Sequence, residues 1–146
     1  LLGNFNNENF KKKIEKLISD NPRIKIIPQI ENHLLVDFIE NADFSIVPTL
    51  PVTLSYYYSS PNKLHESKAA QLPIFAQDLP EHVLEMKVNS PNPIGVVSNF
   101  LDLTNLKTDF NIFLNNLELY KNNYDYIKSS FFNASDQIET YKHILK

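Results

Sequence analysis

The sequence predicts an α/β fold, a doubly wound parallel sheet with helices on both faces. Three observations point there. Short apolar or β-branched runs at Arg23–Ile27, Ala42–Val47, Pro73–Ala76 and Ile94–Val97 alternate with stretches of helical periodicity over the first hundred residues. Residues Asp43 to Pro80 form one strand–loop–helix–strand unit, with Pro61 placed to start the helix and Pro73 to stop it. Neither an internal repeat nor a low-complexity linker interrupts the pattern, so we expect one domain over residues 1–146.

Taken in order, Leu1-Leu2-Gly3-Asn4 reads as the end of a buried strand turning into a loop. A helix is expected from about Glu8 to Asp20, since Phe10, Ile14, Leu17 and Ile18 recur at helical spacing and Lys11 to Lys13 make a solvated face. Asn21-Pro22 stops it, and the Arg23–Ile27 strand follows. Glu31-Asn32 open a short helix reaching Glu40, with Leu34, Leu35, Phe38 and Ile39 inward. After the Ala42–Val47 strand comes a loop rich in Ser and Tyr, then a helix over Ser60–Gln71. Pro80–Met86 reads as a further short helix. From about Leu103 the chain is helical throughout: Phe110 to Tyr120, Tyr124 to Phe132, and Ala134 to Leu145.

Composition narrows the function classes. The 146 residues are 42% apolar and 21% charged, as in an ordinary globular domain. A net charge of −3 argues against general affinity for nucleic acid. With no cysteine, disulfides and thiolate metal sites are excluded, and His33, His65, His82 and His143 lack metal-ligand spacing. No metal and no resident cofactor are expected. No stretch approaches the roughly 20 apolar residues of a membrane span.

The unit from Asp43 to Pro80 carries the chemistry. Pro61 suits a first helical position, because its φ is helical and its missing N–H is not needed there. Ser60 before it is a good N-cap. The first-turn amides near Asn62, Lys63 and Leu64 would then point out of the helix end, where the dipole favours an anion, and Lys63 adds a cation. Glu66, one turn inward, would repel phosphate and suits a hydroxyl-bearing sugar. A surface helix starting Ser-Pro and carrying Glu as a solvated residue would have the same residues.

That run, Ser60-Pro61-Asn62-Lys63-Leu64-His65-Glu66-Ser67-Lys68-Ala69-Ala70-Gln71-Leu72-Pro73, resembles the nucleotide-sugar site in the C-terminal half of retaining GT-B glycosyltransferases of the group 1, family 4-like type. There the stretch reads PNKLFEYLAAGLPVVASDLPE after a strand ending in a hydrophobic residue and proline. Gly95-Val96-Val97 and Phe131-Phe132-Asn133-Ala134-Ser135 resemble later segments of that domain more loosely. The resemblance implies a Rossmann-like donor-binding domain with its last helices over about 103–146. It also implies a sheet in the order 3-2-1-4-5-6, whose first strand would precede Leu1, so that the chain would be a fragment lacking that strand and the N-terminal acceptor domain.

By the same resemblance Ser60, Asn62, Lys63 and Leu64 hold the donor diphosphate and Glu66 receives the ribose hydroxyls. Ile30, just after the Arg23–Ile27 strand, would face the base. The family's first glutamate falls at Tyr58, which can hydrogen-bond a donor sugar but supplies no charge; Tyr56 to Tyr58 serve equally as loop residues packing on a neighbouring domain. Gln71 replaces the glycine that ends the helix in the left-handed conformation, so that turn is expected to close by another route. Asp43 and Asp78 are expected at the carboxyl edge of the sheet, Asp78 as a turn cap.

No pair of residues makes a nucleophile and base dyad, in keeping with chemistry driven by leaving-group stabilisation. The function implied is sugar transfer from a UDP-, GDP- or ADP-sugar to a glycan or lipid-linked acceptor in bacterial surface polysaccharide synthesis. The enzyme would be cytoplasmic, with peripheral membrane association. The alternative is a non-catalytic domain of the same architecture used for protein contacts.

Overall fold

The computed structural model describes residues 7–19 and 21–127. The expected Leu1–Leu2 strand end and the helical segments beyond residue 127 lie outside them. The chain divides into two compact units, Leu1–Ile39 and Glu40–Lys146.

In the first unit, α1 (Glu8–Ser19) starts where Asn7 Oδ1 accepts the Phe10 N–H at 3.0 Å. It stops before Pro22, where the Asn21 N–H bonds Ile18 O at 2.8 Å. A second helix, α2 (Asn32–Ile39), closes the unit. The strand expected at Arg23–Ile27 is not formed; only Ile27 makes an isolated bridge. The Arg23 amide bonds Asn21 Oδ1 and the Ile24 amide bonds Asn21 O, so a turn consumes the first two donors. Pro28 then offers no donor beyond Ile27.

The second unit holds an open three-stranded parallel sheet with helices, in the order β1 (Ser45–Val47), β2 (Ile74–Gln77), β3 (Gly95–Ser98). Its helices are α3 (Leu54–Tyr57), α4 (Asn62–Ala69), α5 (Pro80–Glu85), α6 (Leu103–Asn115) and α7 (Leu117–Ile127). The three strands expected here are therefore present and mutually parallel. All four residues of β2 are buried. Because successive side chains point to opposite faces, Ile74 and Ala76 join Val47, Leu64, Met86, Ile94 and Tyr124 in one cluster, while Phe75 joins Phe113 and Tyr120 in another. The second cluster is largely aromatic: Phe75 stacks on Phe100 at 5.3 Å and Phe44 meets Phe113 edge-on at 5.4 Å.

The loop expected between β1 and α4 contains the short helix α3, capped by Thr53, whose Oγ1 accepts the Tyr56 N–H at 3.3 Å. The single helix expected over Phe110 to Tyr120 breaks at Asn116 into α6 and α7; Asn116 Nδ2 donates back to Ile112 O.

Gln71 corrects the sequence reading. Its φ is 56°, so it does adopt the left-handed conformation. The Leu72 N–H bonds Ser67 O and the Gln71 N–H bonds Lys68 O, a complete Schellman closure of α4. Burial of Leu72 and Pro73 beyond the turn fixes the chain's path and overrides Gln71's own preference. Lys87, with φ 52°, ends α5 in the same way through Val88 N–H to Val83 O. A non-glycine residue in this region costs about 1–2 kcal/mol, and glycine's extra unfolded-state freedom returns about half of that. Gln71→Gly is therefore expected to raise the melting temperature by about 2–4 °C, read by calorimetry; an unchanged or lower value would contradict the strained turn.

His82 is fully buried. Its Nδ1–H donates to Gln77 O at 2.7 Å, and Nε2 has no hydrogen-bond partner among the described residues. Burial lowers its pKa below the ordinary value, against the opposing effects of the Gln77 carbonyl and the charges of Asp78 and Glu81. The unfolded chain thus takes up a proton near pH 6.5 that the folded chain still refuses. This contribution to stability is complete above about pH 6.5 and is lost as pH falls through the lower folded pKa. Denaturant titrations from pH 8 to pH 5 should show a drop in unfolding free energy below about pH 6.5, and a smaller drop in His82→Phe. Equal slopes in the two proteins would contradict a buried neutral His82.

Candidate functional site

In a parallel sheet all strands end at one edge, and ligands of open α/β sheets bind beyond that edge. Here the chain leaves β1 at Pro48, runs through α3, and returns at Ser59 to Pro61 to start α4. These segments enclose an open groove of about 780 Å³, walled by Pro48, Thr49, Tyr56, Ser60, Asn62 and Lys63 among others. Among the described residues Lys63 is the one charged residue in its wall.

Two contacts hold the start of α4 against the sheet. Leu64 is wholly buried in the cluster with Val47 and Ile74. Ser67 Oγ donates to Lys63 O at 2.6 Å and is bonded to the Ser45 hydroxyl on β1, also at 2.6 Å. An ion pair of Lys68 with Glu85 ties α4 to α5. The groove wall is thus anchored to both neighbouring strands.

The structure brings Ser60, Asn62 and Lys63 together in the groove wall. The helix begins one residue later than expected: Pro61 is the N-cap, extended at φ −71° and ψ 145°, and no side chain caps the helix. Ser60 is not the cap, because its hydroxyl is bonded to His65 Nε2 at 2.8 Å. The amides of Asn62 and Lys63 carry no hydrogen bond among the described residues, as helix geometry leaves them. Leu64 differs. Its amide bonds Pro61 O at 2.9 Å and its side chain lies in the core, so it has no donor to offer the groove.

Glu66 sits one turn further along α4, half-buried and outside the groove wall, its carboxylate without an ion pair or hydrogen bond among the described residues. Tyr58 is 64% exposed, packed edge-on against Tyr57 at 4.8 Å, and also outside the wall. Ile30 belongs to the first unit, half-buried in an irregular stretch. Asp43 precedes β1 and so lies at the amino edge, lining a second depression with Gln71 and Lys121; the carboxyl-edge position expected for it is wrong by the length of the strand. Asp78 does follow β2, but its side chain caps nothing: the N-cap of α5 is Leu79, without a side-chain bond.

The sequence reading missed Thr49, Ser55, Tyr56 and Ser59, which place hydroxyl-bearing residues along the groove. It also missed His65 as the partner of Ser60. A five-residue spacing from the residue before a helix start to the first turn was the available signal. Among the described residues no group of three or more His, Asp or Glu is arranged to hold a metal. No helix among them is long and apolar enough to cross a membrane.

Compared with models of protein families, with curated proteins and with solved structures, the chain matches none.

Proposed function

We propose that the chain is the donor-binding part of a glycosyltransferase of GT-B architecture, its sheet being the Rossmann-like C-terminal half, and that it binds a nucleotide-diphospho sugar. The observation that carries this reading is the groove at the carboxyl end of β1, where the unbonded amides of Asn62 and Lys63 and the Lys63 ammonium meet. Two phosphates placed there would face N–H donors, the positive end of the α4 dipole and a cation. The same groups stabilise charge on a departing diphosphate, which is the main demand of sugar transfer without a protein nucleophile. Ser59, Ser60 and Tyr56 offer hydroxyls to the ligand. Glu66, one turn along α4 and with no ion pair or hydrogen bond among the described residues, would receive the ribose of a nucleotide laid along the helix beyond the groove wall. Leu64 holds the helix in place and leaves the diphosphate to its neighbours.

The acceptor, a glycan or lipid-linked sugar, would be held by a preceding domain in a cytoplasmic enzyme, so these residues alone would bind donor without turning it over.

Calorimetric titration with UDP-, GDP- and ADP-sugars, the matching diphosphates and the free nucleosides tests this. Charge-assisted hydrogen bonds contribute about 1.5–3 kcal/mol each, so Lys63→Ala should weaken the diphosphate tenfold or more and leave the nucleoside unchanged. Glu66→Gln should weaken nucleoside and sugar nucleotide alike. Absence of binding by all three nucleotide classes at millimolar concentration would overturn the reading and favour a non-catalytic contact domain.

A further inference from the structure

The first helix carries a feature that donor binding does not use. α1 spans Glu8–Ser19 and has no buried residue. At 100° per residue, Phe10, Ile14, Leu17 and Ile18 fall in one arc about 100° wide. Leu17 is 70% exposed and Phe10 53% exposed. Lys11 and Lys13 flank this arc on its two sides, while Lys12 and Lys16 lie on the opposite face. Four lysines against two glutamates make the helix a cationic segment of a chain whose net charge is −3. The rest of the chain carries ten basic residues against fifteen acidic ones.

We infer that α1 is an interfacial helix that docks on an anionic lipid surface. An apolar arc bordered by long cationic side chains matches the boundary between acyl chains and headgroups: the leucine and isoleucine side chains enter the apolar layer, and the flanking lysines extend outward to the phosphates. A protein partner could take the apolar arc alone. Cations on both borders of the inserted arc meet a surface that is anionic on both sides of the helix, which is the charge complementarity of a membrane. Lys11 keeps its i,i+4 contact with Glu15 at 4.0 Å along one border, a weak exposed pair that headgroup phosphates can displace. The inference does not depend on the donor site, which lies in the other unit.

The test uses the full chain with phosphatidylserine–phosphatidylcholine vesicles and with pure phosphatidylcholine vesicles, by flotation. Binding is expected to the anionic vesicles only, and should weaken as salt is raised. Lys11→Gln and Lys13→Gln, the two border lysines, should each weaken it on the order of fivefold, and Leu17→Asp should abolish it. Because Leu17 is exposed, Leu17→Asp should melt like the parent chain, so lost binding cannot be ascribed to unfolding. The chain has no tryptophan, so Leu17→Trp provides a single indole whose emission should shift to the blue on anionic vesicles. No binding to anionic vesicles, binding that survives Leu17→Asp, or a concentration-dependent dimer abolished by Leu17→Asp in a chain that ignores vesicles would each overturn the inference.

Discussion

The burial of β2 on both faces is the constraint from which the rest of the second unit follows. Ile74, Phe75, Ala76 and Gln77 are all inaccessible, so each face of the strand must be covered by a separate layer. Leu64, Met86, Ile94 and Tyr124 cover one, and the aromatic set around Phe113 covers the other. β3 lies so close that a Cβ at position 95 would stand 1.8 Å from Ile74 O and 2.8 Å from Met86 Cε. Only glycine fits where the two strands and α5 converge. Gln77 completes the arrangement with polar bonds: its Oε1 accepts the Phe100 N–H at 2.9 Å while its carbonyl receives His82. Tyr124 OH donates to Leu72 O at 2.7 Å, and burial raises the pKa of that hydroxyl. Polar groups in this interior are thus mostly satisfied, as burial requires.

The groove inherits its shape from that core. β1 is in register with β2 through Ser45–Ile74 and Val47–Ala76, which fixes where the chain must leave the sheet at Pro48. The Ser45–Ser67 hydroxyl contact and buried Leu64 then fix where α4 begins. The start of α4 is consequently held by packing, while the amides of Asn62 and Lys63 carry no hydrogen bond among the described residues, the arrangement on which the proposed diphosphate site rests. α1 contrasts with this, since none of its residues is buried.

Much of the second unit is legible in the sequence because local signals and burial agree there. The runs at Ala42–Val47, Pro73–Ala76 and Ile94–Val97 are each bounded by a proline, Pro48 after the first, Pro73 opening the second and Pro93 before the third, and all three form strands. Arg23–Ile27 has the same composition but two flanking prolines and a side-chain-bonded Asn21, so turn chemistry prevails over β-propensity. At Gln71 residue preference pointed one way and the buried path of Leu72 and Pro73 the other. In the site, Ser60, Asn62 and Lys63 were readable from their place at a helix start. Ser60's bond to His65, the loss of Leu64's amide to Pro61 and the short helix α3 depend on rotamers and cap geometry that residue types do not encode.

The central claim is that the start of α4 receives a diphosphate. Backbone amide chemical shifts followed by NMR during titration with a nucleotide-diphospho sugar test it most directly, because they report on the very N–H groups invoked. The account predicts the largest changes at Asn62 and Lys63, with smaller ones at Thr49 and Ser59 across the groove, and none in the middle of α6. Saturable changes centred elsewhere, or still amides at Asn62 and Lys63 under demonstrable binding, would contradict it.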